Sequence, residues 1–315
     1  MPPDGVEWKP HEAMLSFEEF LRLCRIMAEL GIRKIKVTGG EPLVRRGVAS
    51  FIKSLKALPG IEKLTLTTNG LLLDSFLDEF ENNEFPLDGI NISLDALDPV
   101  RFRHFTRFDT GIAGETSPSV PQKIITLLDR LLKKQIKVKL NCVPVRGYNE
   151  EEILPLTALA KDRNIAVRFI ELMPLGSAGK LELVPGSEVA SLIEKNCGSL
   201  TPFSGVEGNG PAVYYSLPGF SGKIGFINPI THGFCESCNR LRLTSEGFLK
   251  TCLSGDSGLD LRSPLRAGAS DAELALAVTG AAARKPHFHS FSPIYGAART
   301  EDIKQRSGGM FEIGG

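Results

Sequence analysis

Apolar and polar positions along the chain alternate between two periods. Over residues 16–30 apolar side chains recur at helical spacing (Phe17, Phe20, Leu21, Cys24, Met27), with Ser16 and Glu19 placed as a capping box and Gly31 as a stop. A short apolar strand, 35–37, follows and breaks at Thr38-Gly39-Gly40-Glu41-Pro42. The cycle then repeats. Helix 46–58 leads to strand 62–67, which stops at Thr68-Asn69-Gly70, and helix 71–83 leads to strand 89–94, which stops at Asp95. Helix 121–134 leads to strand 136–142, and helix 150–162 to strand 165–170, which stops at Glu171. Strands alternating with helices predict βαβ units, a parallel sheet and the α/β class, with the polar strand ends lined up along one rim where such sheets place their chemistry.

Two breaks interrupt this rhythm. Residues 105–120, FTRFDTGIAGETSPSV, form a long polar stretch that reads as a lid or an unstructured insertion. From about residue 175 the chain turns to Gly/Pro-rich segments and short strands (AVYYSL, KIGFI), and residues 284–315 are only weakly periodic. A first region of 1–174 and a second of 175–315 are therefore expected. Beyond the βα alternation there is no internal repeat.

Composition narrows the function classes. The 315 residues are 42% hydrophobic and 23% charged, and 37 basic side chains balance 37 acidic ones. Zero net charge removes the bulk electrostatic case for nucleic acid or membrane binding, and no run approaches the roughly 20 apolar residues that span a bilayer. The opening MPPDGVEWKPHEAM has no targeting character. Cys24 and Cys142 sit in apolar periodic segments as small core residues, and Cys197 follows a helix-like run. This is not a disulfide framework, and it suits a reducing cytoplasm.

The remaining three cysteines carry the candidate chemistry. Cys235 and Cys238 form a Cys-x-x-Cys pair in THGFCESCNRLRLT, and Cys252 follows in FLKTCLSG. A mononuclear tetrahedral site wants four protein ligands, whereas an iron–sulfur cluster held by three leaves one iron open. His232, three residues before Cys235, could complete a Cys₃His zinc site. Arg240 and Arg242 place forked cations beside the trio, suited to phosphate or a base edge. Gly39-Gly40-Glu41-Pro42 reads either as a plain turn or as an open backbone edge that could hold an ammonium group. Thr67 and Ser93, near strand ends, are ordinary strand residues or hydroxyls for a ligand's ribose or amino group. Lys34 and Lys36 share a strand face, while Lys139 and Arg168 lie inside apolar strands. Each needs an acidic neighbour or an anion, and four such cations would suit a polyphosphate.

TGGEP, TTNG and ISLDA, each after a strand, resemble the radical S-adenosylmethionine superfamily. With VKLNCV, VRFIELMP, CESCNRLRLTSEGFLKTCL and the terminal Gly-Gly, the chain resembles the GTP 3′,8-cyclases of molybdenum cofactor biosynthesis, most weakly over 105–120 and 284–309. That resemblance implies an incomplete (βα) barrel over 1–174 and a C-terminal extension carrying a second iron–sulfur site. It implies two 4Fe–4S clusters. The first binds S-adenosylmethionine and cleaves it to a 5′-deoxyadenosyl radical. The radical takes hydrogen from the ribose C3′ of GTP, whose carbon then adds to C8 to give (8S)-3′,8-cyclo-7,8-dihydroguanosine 5′-triphosphate. The second cluster would be held by Cys235, Cys238 and Cys252, its open iron facing guanine. Gly40, Ser93 and Met173 match S-adenosylmethionine contacts, and Lys36, Thr67, Lys139, Arg240 and Arg242 match GTP contacts. Where the family often has arginine, Lys36 offers a point charge instead of a fork. Arg240 and Arg242, with Gly314 and Gly315 of a tail reaching the active site, match residues that assist cyclisation. An electron donor, a downstream pterin synthase and a homodimer are the implied partners.

One departure stands against that pattern. The family's first cluster uses a Cys-x-x-x-Cys-x-x-Cys loop followed by Met-Pro, and this chain begins Met1-Pro2-Pro3. The first strand, the three ligands and an upstream GTP-binding arginine are expected to be encoded upstream of Met1, and the chain as written is expected not to cleave S-adenosylmethionine and to leave a sheet edge open. Two other readings remain: a non-catalytic nucleotide-binding iron–sulfur protein, and a zinc-binding structural module using His232.

Overall fold

The computed structural model describes residues 9–80, 85–106, 118–205, 208, 210–255, 258–289 and 291. The chain runs α1 (Phe17–Glu29), β1 (Lys34–Val37), α2 (Val48–Lys56), β2 (Lys63–Thr68), α3 (Leu73–Asp78), β3 (Gly89–Ser93), α4 (Pro99–Thr106), α5 (Val120–Lys133), β4 (Val138–Cys142), α6 (Ile153–Ala158) and β5 (Ala166–Ile170). It continues through α7 (Gly186–Cys197), β6 (Thr201–Pro202), β7 (Val213–Ser216), β8 (Lys223–Ile227), β9 (Arg242–Leu243), β10 (Phe248–Lys250), β11 (Gly258–Asp260), α8 (Arg262–Arg266) and α9 (Asp271–Ala283).

The expected α/β alternation is present, and its misplacements have local causes. The capping box at Ser16 forms in both directions, with the Glu19 amide donating to the Ser16 hydroxyl and the Ser16 amide to the Glu19 carboxylate. Helix α4 was not anticipated. Asp98 starts it by accepting the amides of Val100 and Arg101 at 3.0 and 2.8 Å, and Pro99 takes the first turn, where no N–H is needed. The expected helix 150–162 is a 3₁₀ turn, Glu150–Glu152, followed by the short α6. Beyond Ala158 the amides of Leu159, Ala160 and Lys161 reach back only three residues, so the helix tightens and stops.

Two compact units interleave in sequence. The first comprises Thr68–Ser75 and Gly89–Phe234. Its sheet sets β3, β4, β5 and β8 in parallel, with β7 and β6 added antiparallel. One face is apolar: Ile90, Ile92, Leu140, Val167 and Phe169 are buried there. The alternate positions carry a polar row, since Ser93 pairs with Asn141, Asn141 with Arg168, Arg168 with Gly225 and Gly225 with Tyr214. Residues paired across adjacent strands share a face.

The second unit comprises the described residues of Pro2–Thr67, Phe76–Asp88 and Cys235–Gly315. Strand β1 pairs in parallel with β2 and, among the described strands, with no other. A small antiparallel sheet, β11-β10-β9, joins α1 and α9 around a core that includes Leu15, Leu23, Ile26, Leu249, Leu274 and Val278. Ion pairs from Arg22 and Arg25 to Asp271 fasten the rim of α1 to α9. Residues from both ends of the described chain thus share one core. The 105–120 stretch holds the end of α4 and the start of α5, and its middle lies outside the described residues.

Candidate functional site

The three-cysteine segment is built by two local devices in the second unit. Residues Cys235–Ser237 form a 3₁₀ turn, and the Cys238 amide donates to the Cys235 carbonyl at 3.0 Å. In such a turn positions three apart eclipse, a spacing that suits two sulfurs serving one group. Cys252 returns through a hairpin, in which Arg242 of β9 pairs with Lys250 of β10. The hairpin turns at Gly247, whose φ of +82° and neighbours Arg262 and Leu15 leave no room for a Cβ. Cys235 Sγ accepts the His289 amide at 3.3 Å, and Cys252 Sγ lies 3.3 Å from the Ser254 hydroxyl.

Cations surround these sulfurs. Burial alone would raise the Cys238 thiol, yet the Arg240 backbone amide, its guanidinium and the Lys285 ammonium together hold it below the ordinary thiol range. Burial pulls the Arg242 guanidinium down to about 10, Arg240 pushes the same way, and Cys238 and Cys252 act against both. Arg242 thus lies close enough to Cys238 and Cys252 for their sulfurs to act on it electrostatically. Among the described residues no three Cys, His, Asp or Glu side chains converge on a single ion position. A cluster asks for something else, because each thiolate binds a different iron and the ligands need not meet at one point. Soft thiolates, one of them acidified, with cations to offset their charge, fit such a group.

In the first unit the polar row forms a second assembly. Arg168 is buried, its Nε donating to Asn141 Oδ1 and its Nη2 to Asn91 Oδ1, both at 2.8 Å. Burial lowers its affinity for the proton, and Tyr214 opposes that through charge and a hydrogen bond. Lys139 Nζ stands 5.6 Å from the centroid of the Tyr214 ring. A Cβ on Gly225 would come within 2.8 Å of Tyr214 and 3.0 Å of Arg168, so glycine admits both side chains. The row thus brings Lys139 and Arg168 to one tyrosine. Asn91, Asn141, Tyr214 and Gly225 were not anticipated; two asparagines spaced among apolar residues in INIS and KLNC were the available signal. Ser93 ends β3, and Met173 lies just past β5 with its carbonyl accepting the Leu175 amide at 2.8 Å.

The strand ends of that unit are tied by carboxylates. Burial pushes the Asp95 carboxyl up to about 6, although it accepts the Val143 amide at 2.8 Å. Glu171, fully sheltered, accepts the amides of Gly186, Ile230 and Thr231. In the second unit, Lys36 is exposed on β1, Thr67 is buried and Gly40 is exposed. Glu41 accepts the Leu43 amide at 3.0 Å, so this carboxylate caps the turn that follows Gly39-Gly40. Gly314 and Gly315 lie outside the described residues.

Comparison with known proteins decides the family. The Radical SAM superfamily model matches residues 3–160, and the Molybdenum Cofactor Synthesis C model matches residues 165–291. The GTP 3′,8-cyclase of Clostridium perfringens strain 13 is 39% identical over 315 residues, which is all of this chain and 92% of that protein. Those of Moorella thermoacetica (43% over 291 residues, 92% of this chain and 86% of the relative) and Syntrophomonas wolfei (40% over 318 residues, 100% and 92%) agree. The chain belongs to the GTP 3′,8-cyclase family.

Membership in this cyclase family, a branch of the radical S-adenosylmethionine superfamily, carries a 4Fe–4S cluster and S-adenosylmethionine. Cys24, Cys142 and Cys197 do not fit the cluster that would bind it. They occupy α1, β4 and the end of α7. Burial pushes the Cys24 thiol up to about 12, and burial together with Asp95 and Glu152 also raises Cys142 well above the ordinary thiol range, which disfavours the thiolate that metals require. No chemistry is assigned to these three. No helix among the described residues is long and apolar enough to cross a membrane.

Proposed function

We propose that this chain acts on GTP as a 3′,8-cyclase, forming (8S)-3′,8-cyclo-7,8-dihydroguanosine 5′-triphosphate in molybdopterin biosynthesis, with Cys235, Cys238 and Cys252 holding a 4Fe–4S cluster. The observation that carries the reading is the gathering of Arg240, Arg242 and Lys285 beside the cysteine trio, where Lys285 bridges the Arg240 and Thr251 carbonyls and Cys238 is held below the ordinary thiol range. Bound there, a cluster supplies one iron without a protein ligand, open to a donor atom of the purine. The protein's own residues bind and orient. Arg240 and Arg242 present forked donors to the nucleotide, Lys36 and Lys139 supply point charges for phosphate, and Thr67 offers a hydroxyl. Arg168 is a further candidate for an anion, because its guanidinium is held by the amide oxygens of Asn91 and Asn141. Gly40, Ser93 and Met173 are assigned to S-adenosylmethionine, and Gly314 and Gly315 to the closing of the ring. An electron donor, a pterin synthase receiving the product, a homodimer and a cytoplasmic setting belong to the same reading.

The test is anaerobic reconstitution of the chain with iron and sulfide, followed by addition of GTP. Roughly four irons per chain and a change in the reduced cluster's paramagnetic spectrum on adding GTP are expected. The GTP-dependent spectral change should be lost in an Arg240→Ala, Arg242→Ala double variant, with iron retained. A protein that takes up one zinc and no sulfide overturns the reading in favour of a structural metal module.

A further inference from the structure

The segment after α9 reaches every piece of chain that bears one of the three cysteines. Lys285 Nζ donates to the Arg240 carbonyl at 2.8 Å and to the Thr251 carbonyl at 2.6 Å. Arg240 lies two residues past Cys238, and Thr251 immediately precedes Cys252. Four residues further on, the His289 amide donates to Cys235 Sγ at 3.3 Å.

The position of Lys285 has a physical logic. The β9–β10 ladder stops at the Arg242–Lys250 pair. Just beyond that pair the Arg240 and Thr251 carbonyls point at a common place, where their dipoles would repel. An ammonium with three donors on a flexible stem can bridge them. Lys285 forms no ion pair with a carboxylate among the described residues, so its charge stays on the cysteine segment. The helix that delivers it is anchored in the core through Leu274, Val278 and Ala281.

We propose that Lys285 is a positioning residue for the iron–sulfur cluster: it bridges the two cysteine-bearing segments and sets the spacing of Cys238 and Cys252, with its charge favouring the more reduced cluster. This rests on the cluster reading above. A plain hairpin contact would also join two carbonyls, but its loss would change neither the redox properties of a bound cluster nor be repaired by charge alone.

The experiment compares the parent chain with Lys285→Met and Lys285→Arg, each reconstituted anaerobically with iron and sulfide. Iron transfer to a colorimetric chelator, the cluster's midpoint potential and the melting of the iron-free proteins are measured. The Met variant should lose iron about tenfold faster, as expected for two missing charge-assisted hydrogen bonds, and its potential should be more negative. The Arg variant should stay near the parent in potential and recover most of the retention. A Met variant that holds iron as long as the parent, at the same potential, overturns the role of Lys285 while leaving the cluster intact. A Met variant whose iron-free form already melts well below the parent makes Lys285 a general fold contact and also overturns it. A parent chain that takes up no iron and sulfide removes the cluster reading and this proposal together, a result the variants cannot mimic.

Discussion

The two polar assemblies of this chain are stabilised in opposite ways. In the first unit, the Arg168 guanidinium is fixed by Asn91 and Asn141, neutral amides that do not cancel its charge, with Tyr214 beside them. In the second unit, Arg240, Arg242 and Lys285 stand against sulfurs, and the cysteine segments are tied by a few bonds from Lys285, His289 and Ser254. The first assembly is complete as a piece of sheet and keeps a charge in reserve. The second gathers donors whose charges and soft sulfurs make full sense only around a metal group. A sheet can position an anion site by register alone, whereas a metal site on short strands and turns depends on its occupant and on a small number of anchors.

The largest effect that would sharpen this contrast is on the second assembly. Replacing Cys252 with alanine should reduce bound iron from roughly four per chain to near zero after reconstitution, since two thiolates from one turn do not secure a cluster. Retention of most of the iron in Cys252→Ala would show that the contrast is misdrawn and that other groups hold the metal.

On the first assembly the largest expected change is in affinity. Arg168→Met should weaken GTP binding by about a hundredfold, the scale of losing a sheltered charge-assisted contact to phosphate. The chain's own stability should fall by less, because the lost bonds to Asn91 and Asn141 are offset by removing a desolvated cation. Equal GTP affinity in parent and variant would make Arg168 a purely structural residue.

A smaller effect separates the strand ends from the sheet. Asp95 is partly sheltered, and its carboxyl titrates at about 6 in the folded chain against an ordinary value of 3.8. Between those values the folded chain binds the proton more tightly than the unfolded one, so stability falls as pH rises from about 4 to about 6 and stays reduced above. Asp95→Asn keeps an acceptor for the Val143 amide and does not titrate. It should therefore match the parent near pH 4 and exceed it at pH 7 by about 2 kcal/mol, allowing for partial exposure. Denaturant titrations at both pH values check this. A gain at pH 4 equal to that at pH 7 would assign the effect to packing.

How far these assemblies were legible in sequence depends on the range of the contacts. The βα alternation rests on periodicity within each segment, and it placed α1, α5 and the strands β1 to β5 within a residue or two of their bounds. The Cys-x-x-Cys turn and the flanking arginines were legible because their spacing is local. Lys285 was not, since it acts on carbonyls 34 and 45 residues away in a stretch with weak periodicity. Tyr214 and Gly225 were hidden for the same reason: their importance lies in strand register with Arg168, which no single segment displays. Helix α4 was missed although Asp98-Pro99 announced it, because the polar stretch after it drew the whole region into a loop.

The smallest expected effect tests how finely the second assembly is tuned. Ser254 is buried, and its hydroxyl lies 3.3 Å from Cys252 Sγ. A hydroxyl donating to a thiolate stabilises the extra electron of a reduced cluster, so hydrogen bonds to ligand sulfur raise the reduction potential. Ser254→Ala removes this donor and leaves the three sulfur ligands, Lys285 and both arginines in place. Its cost in stability should be below about 1 kcal/mol, the net worth of one such bond. Iron content should be unchanged, while the midpoint potential should move to more negative values, by less than in Lys285→Met because no full charge is lost. Threonine, which keeps the hydroxyl, should restore the parental potential. If alanine and threonine behave alike, the Ser254 hydroxyl points elsewhere in the loaded protein, and the ordering of the second assembly reduces to Lys285 and the His289 amide.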